Sequence, residues 1–256
     1  MSLIKKNELF LLSEVVKRNF SARYKESTLG ILWSVLNPLF TMIILTIVFS
    51  TLFSRSIENY AVYLLCGRNM FNFFTSACTT SLLAIKANQN ILVKTAAPKH
   101  IFIIGGIISE FINFLICTVL LLAVMIATNA PFYWNTIPLT IIPIIFAIIL
   151  STGVGLILSI CQVYYTDTQH IWSVMTTMLL YGSALFYPMD VIPEPYHQYM
   201  ILNPVFWLVN QYRSFFIYGT IPDLLYIVNT LLLSTIILVF GLIVYKKYNK
   251  KLAMKF

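Results

Sequence analysis

The sequence predicts an all-α integral membrane protein with six transmembrane helices, and three observations predict it. Its 256 residues are 59% hydrophobic and only 10% charged, whereas a soluble domain carries about 25% charged residues. Runs 27–54, 111–166, 168–189, 195–212 and 224–245 hold no Asp, Glu, Lys or Arg, and a membrane helix needs about 20 mostly apolar residues. The basic residues also cluster in a few short segments. Too little polar surface remains to cover a soluble fold. The apolar excess excludes disorder, and four cysteines in 256 residues exclude a secreted disulfide scaffold.

Residues 1–30 form a cytoplasmic segment before the first span. Leu9, Leu12, Val16 and Phe20 recur at helical spacing, with Lys6, Glu14, Lys17 and Arg18 on a wetter face. This pattern predicts an amphipathic helix lying in the membrane interface. It serves either as a plain anchor or also as a contact for a partner or an anionic head group. Charges throughout residues 1–24 do not fit a cleavable signal peptide.

Residues 31–256 form the transmembrane domain. The predicted spans are 33–53, 60–83, 101–127, 138–162, 170–187 and 224–245. Asn129-Ala130-Pro131 is a turn signal that separates the third from the fourth. The segment 86–100 is short and polar, and Pro98 ends any helix within it. The stretch 188–222 holds Pro188, Pro193, Pro195, Pro204 and Pro222 among aromatics. It is too broken for one span and too apolar for a free loop, which predicts short helices dipping into the outer leaflet. Ser151-x-x-x-Gly155 has the small-residue spacing of close helix contacts.

Fourteen of the 17 basic residues fall in the N-terminal segment, the 86–100 loop and the C-terminal tail. Six spans put these on one side, so both termini are predicted to be cytoplasmic. This bias and anionic lipid account for the net charge of +8 without any nucleic acid.

The sequence contains no G-x-x-x-x-G-K-[ST] phosphate loop. It contains no nucleophile triad, and its scattered Cys and His suggest no metal site. Glu110 is the lone acidic residue between Glu58 and Asp167, so a carboxylate relay is not expected. A satisfied interior or interface role suits Glu110 better.

The stretch Arg23-Tyr24-Lys25-Glu26-Ser27-Thr28-Leu29-Gly30-Ile31-Leu32-Trp33-Ser34-Val35-Leu36-Asn37-Pro38 resembles the start of the first membrane helix in permease subunits of ABC polysaccharide exporters. Asn72-Phe73-Phe74, Asn90 to Lys94 with Pro98, and Tyr187-Pro188, Val191-Ile192-Pro193, Asn203-Pro204 and Arg213 resemble later parts of the same family in order. The chain departs from it at Arg68-Asn69-Met70-Phe71, where members often read Leu-Leu-Pro-Trp, and at Thr166-Asp167, where an Arg-Asp pair is common. The resemblance implies a non-enzymatic transport subunit in the cell (inner) membrane. It implies a homodimer, a separate dimeric ATPase that binds ATP and Mg, and no cofactor in this chain. It also implies a lipid-linked polysaccharide cargo of the O-antigen, capsule or teichoic acid type. An ABC exporter of a drug or small lipid is the alternative.

A polysaccharide needs a wet path through hydrocarbon. Aromatic faces stack on sugar rings while the hydroxyls stay hydrated. Candidate channel residues are Trp33, Asn37, Arg68, Phe71, Asn72, Tyr181 and Tyr187. Arg68 is anomalous inside the second span: it faces water, a partner or substrate, or the helix starts later and Arg68 snorkels outward. Arg18, Arg23 and Lys25 are candidates for a lipid-pyrophosphate head group. Asn88, Asn90, Lys94, Pro98 and Lys99 are candidates for coupling to the ATPase. Pro193, Asn203, Pro204 and Arg213 fall in the family's outer gate.

Overall fold

The computed structural model describes residues 6–24, 27–53, 57–95 and 97–252. These form ten α-helices and no strand. In order they are α1 (Lys6–Tyr24), α2 (Leu32–Phe53), α3 (Tyr60–Ala87), α4 (Gln89–Lys94), α5 (Lys99–Ala127), α6 (Ile141–Tyr164), α7 (Thr168–Tyr181), α8 (Glu194–Ile201), α9 (Pro204–Arg213) and α10 (Leu224–Leu252). Among the described residues, Leu32–Ser50, Lys99–Ala127, Ile137–Tyr164 and Leu224–Asn249 are long and apolar enough to cross a membrane.

The other two predicted spans differ for separate reasons. Helix α3 has 28 residues, ample length, but it carries Arg68, Asn69, Asn72 and a series of Thr and Ser. It is also the hub of the bundle, packed against α5, α6 and α9. Val62, Leu64, Cys66, Met70, Ala77, Leu82 and Ile85 are fully enclosed. Its hydroxyls bond back to the preceding turn, Thr79 to the Thr75 carbonyl at 2.8 Å and Ser81 to that of Ala77 at 2.7 Å. A helix enclosed by other helices can carry such groups without facing lipid.

Helix α7 has 14 residues, which span about 21 Å, short of a hydrocarbon core of about 30 Å. The expected span 170–187 is corrected at its end: the helix stops at Tyr181, and Gly182 caps it. Ala184 takes a positive φ of 49°. The carbonyls from Ala184 to Tyr187 then turn toward side chains of α3 and α9 instead of continuing a helix. The proline-rich stretch is broken as expected into α8, α9 and a π-helical turn over Ser214–Tyr218.

Close backbone approaches fix the layers. A Cβ on Gly153 of α6 would lie 2.7 Å from the Leu238 backbone of α10, so the two helices touch along their main chains. A Cβ on Gly155 would meet Ser81 Cβ at 2.7 Å, and Ser151 is fully buried. The small-residue pair therefore packs within the chain. Helix α1 lies on α5 through Gly105, where a Cβ would meet Val15 Cγ1 at 2.6 Å. Val15, at 3% exposure, is the centre of the docked face, while Leu9 and Phe10 point outward. The docked stripe is thus rotated from the Leu9–Leu12–Val16–Phe20 pattern, because α5 offers its glycine notch to Val15.

Candidate functional site

Two adjoining open clefts of about 440 Å3 and about 500 Å3 lie between the helices, the first lined by α3, α5 and α7, the second by α2, α3 and α5, with Arg23 of α1 at both. Arg23, Arg68, Asn72 and Ser76 line both, so the two form one polar chamber. Arg68 lies a little over two turns into α3. Glu110 lies three turns into α5, about 16 Å along its axis from Lys99. The chamber therefore sits well away from these helix ends, and it is open on one side.

Each wall follows from local sequence. On α3, Arg68, Asn72, Thr75, Ser76, Thr79 and Thr80 recur every three or four residues and so share one face. On α2, Pro38 has no N–H to give the Ser34 carbonyl. Cys117 of α5 donates its thiol to that carbonyl instead, with sulfur and oxygen 3.5 Å apart. This opens the α2 wall beside Trp33 and Asn37, and all of these residues line the chamber. On α7, Thr176, Thr177 and Leu180 complete the first cavity.

Arg23 ends α1 and forms an ion pair with Glu110. Glu110 is 2% exposed and also accepts from Thr80 Oγ1 at 2.9 Å. Burying a carboxylate is costly unless it is paired and hydrogen-bonded, and here it is both. Glu110 is the satisfied interior acid that the sequence suggested, but its partner comes from the interface helix. Arg68 is half-buried, and its Nε is enclosed with no hydrogen-bond partner among the described residues.

The structure brings Trp33, Asn37, Arg68, Phe71 and Asn72 to this chamber, with Arg23. Tyr181 and Tyr187 stand apart from it: the Tyr187 hydroxyl donates to the Tyr181 carbonyl, and the Tyr181 ring is mostly exposed. Lys25 lies outside the described residues. The Thr and Ser walls and Asn113 were missed, although the polar recurrence along α3 is visible in the sequence.

Five residues before Arg23 on α1, Arg18 donates to Asn88 Oδ1 at 2.6 Å, and Asn88 Nδ2 donates to the Ala84 carbonyl at 2.7 Å. Asn88 is buried between α3 and α4, while Asn90 and Lys94 are exposed. Pro98 is the N-cap of α5. Lys99 Nζ donates to the Asn249 carbonyl of α10 at 3.0 Å. Ile91 and Val93 of α4 project outward.

Arg213 is 1% exposed. It donates to the carbonyls of Ala184 at 2.8 Å, Leu185 at 2.9 Å and Tyr63 at 3.3 Å. Its guanidinium carbon stands 3.6 Å from the Tyr63 ring centre, a cation–π geometry. Asn203 caps α9 by accepting from Val205 N at 2.9 Å, and it donates to the Gly182 carbonyl and Ser183 Oγ at the same distance. Pro204 takes the first position of α9. Pro193 is the exposed N-cap of α8.

The fold and the chamber define a multi-pass helical membrane protein with a polar cavity within its bundle. The chain belongs to the ABC-2 type transporter family, whose profile it matches over residues 11–217. It is 29% identical to the O-antigen export system permease protein RfbA of Klebsiella pneumoniae, over 95% of this chain and 93% of that protein. It is 26% identical to RfbA of Myxococcus xanthus, over 83% and 82%. It is 27% identical to the polysialic acid transport protein KpsM of Escherichia coli, over 90% of each.

Proposed function

We propose that this chain is the transmembrane subunit of an ATP-driven exporter that moves a polysaccharide, carried on a lipid, from the cytoplasmic to the outer side of the cell membrane. The observation that carries this reading is similarity along nearly the full length of permeases named for O-antigen export and polysialic acid transport. The chamber supports it: the exposed Trp33 ring stands among Asn and Thr groups that replace water for sugar hydroxyls.

In this reading α2, α3, α5, α6, α7 continued by the segment 182–187, and α10 are the six spans, with both termini and α4 on the cytoplasmic side. Two copies of the chain form a dimer. A separate ATPase dimer binds ATP and Mg. Helix α4, with Asn90, Lys94, Ile91 and Val93 outward, rests on that ATPase, and Asn88, Pro98 and Lys99 hold it in place. Helices α8 and α9 dip into the outer leaflet, with Pro193, Asn203, Pro204 and Arg213 shaping an outer gate. Arg18, Arg23 and Lys25 meet the lipid-pyrophosphate head group.

The test is co-expression with the ATPase encoded beside it, followed by ATP hydrolysis in lipid with and without lipid-linked polysaccharide. A stable complex whose hydrolysis changes with polymer supports the reading. Hydrolysis indifferent to polymer but responsive to small amphiphiles overturns it in favour of a drug or lipid exporter.

A further inference from the structure

The chamber carries more positive charge than a path for neutral sugars requires. Two guanidinium groups, Arg23 and Arg68, face one carboxylate, Glu110, and among the described residues no other Asp, Glu, Lys or Arg lines either cavity. Glu110 is committed to Arg23 and to Thr80. The excess cation is therefore Arg68, whose buried Nε has no partner among the described residues. Its place in α3 is about 12 Å along the axis from Tyr60, farther than an Arg side chain reaches. Snorkelling to the helix end thus does not relieve it. A cation so far along the helix, with no ion pair among the described residues, is costly and marks a ligand or conduction role.

We propose that the chamber recognises an anionic group on the translocated chain, a carboxylate or phosphate received by Arg68 and Arg23 while the attached sugar ring lies on Trp33. The inference rests on the polysaccharide-export reading and adds the charge of the cargo. Guanidinium groups suit both anions, since their fixed N–H fork matches the oxygens of either. Asn72 and Ser76, shared by both cavities, supply neutral hydrogen bonds beside them. The acid can belong to the sugar repeat or to the phosphate linker, and the test separates these sources.

The full-length chain, with its ATPase, is placed in lipid nanodiscs and titrated calorimetrically with hexagalacturonate, neutral maltohexaose and inorganic pyrophosphate. Hexagalacturonate is expected to bind at least about tenfold more tightly than maltohexaose, and this advantage is expected to shrink in 0.5 M salt. Arg68→Gln abolishes the advantage and Arg68→Lys retains most of it. Because Arg68 Nε has no partner among the described residues, Gln is expected to leave the packing intact, and an unchanged unfolding midpoint checks this. Pyrophosphate binding that depends on Arg68, with the two saccharides equal, supports the anion site and assigns it to the linker. Equal binding of acidic and neutral saccharides, with Arg68→Gln silent for all three probes, overturns the anion site and leaves polysaccharide export standing. No binding by any probe, together with ATP hydrolysis indifferent to lipid-linked polymer, overturns both.

Discussion

The guanidinium of Arg213 fills the space where any side chain on Gly67 would begin. A Cβ built on Gly67 would stand 2.8 Å from Arg213 Cζ. Arg213 reaches that position because the carbonyls of Tyr63, Ala184 and Leu185 accept its N–H groups. One glycine in α3 therefore allows a buried cation to tie α9 and the 184–187 segment to the hub of the bundle.

Gly67→Ala is expected to displace the guanidinium from these carbonyls. Hydrogen bonds to a charged group are worth about 1.5–3 kcal/mol, so a loss of at least that size is expected. The unfolding midpoint in detergent measures it. Because both changes break one interaction, Gly67→Ala combined with Arg213→Ala should cost much less than the sum of the singles. Additive losses would separate the two residues.

Glu110→Gln keeps an acceptor for Thr80 but removes the carboxylate charge beside Arg23. Arg23 is 40% exposed, so the expected cost is moderate, about 1–3 kcal/mol. Replacing the pair with Arg23→Met and Glu110→Leu should restore stability toward that of the unaltered protein, since two apolar groups desolvate freely. Thermal unfolding of the three variants decides it.

Gly105→Ala is expected to lift α1 from α5, because its Cβ would meet Val15 Cγ1 at 2.6 Å. Val15→Ala in the same chain removes the obstructing methyl groups and should re-seat the helix. Protease cleavage within residues 6–24 reads the docking. Faster cleavage in Gly105→Ala that Val15→Ala does not slow would refute the notch.

Asn88→Ala removes the acceptor that holds Arg18 at 2.6 Å, while Val15 keeps α1 docked. Stability should change by less than about 1.5 kcal/mol. The ratio of polymer-stimulated to basal ATP hydrolysis should fall severalfold, because α4 loses its link to the interface helix. Asn88→Asp, which turns the bond into an ion pair, should keep that ratio. Equal ratios in all three proteins would show that the contact transmits nothing.

Much of the bundle was legible from residue type and spacing. Charge-free runs place α2 and the start of α10, and with the Asn129-Ala130-Pro131 turn they divide α5 from α6, because length and apolarity are local properties. The prolines of 188–222 break that segment for an equally local reason. Asn72 and Trp33 were candidate lining residues within the motifs that carry the resemblance, and the polar recurrence on α3 was visible in the sequence as well. The end of α7 was not, because Leu185 and Phe186 are apolar enough to continue a helix. Their carbonyls turn away because Arg213 donates to that of Leu185 and the Tyr60 hydroxyl to that of Phe186.

The sequence by itself determined an all-helical membrane chain, its most apolar spans, its family resemblance and a cation set within α3. Only the tertiary structure decided that Arg23 pairs with Glu110 87 positions away, that Arg18 meets Asn88, and that Arg213 lies against Gly67. Hydrophobic length is written in consecutive residues. The pairing of buried charges depends on which helices lie side by side, and that is set by glycine notches and the packing of whole faces.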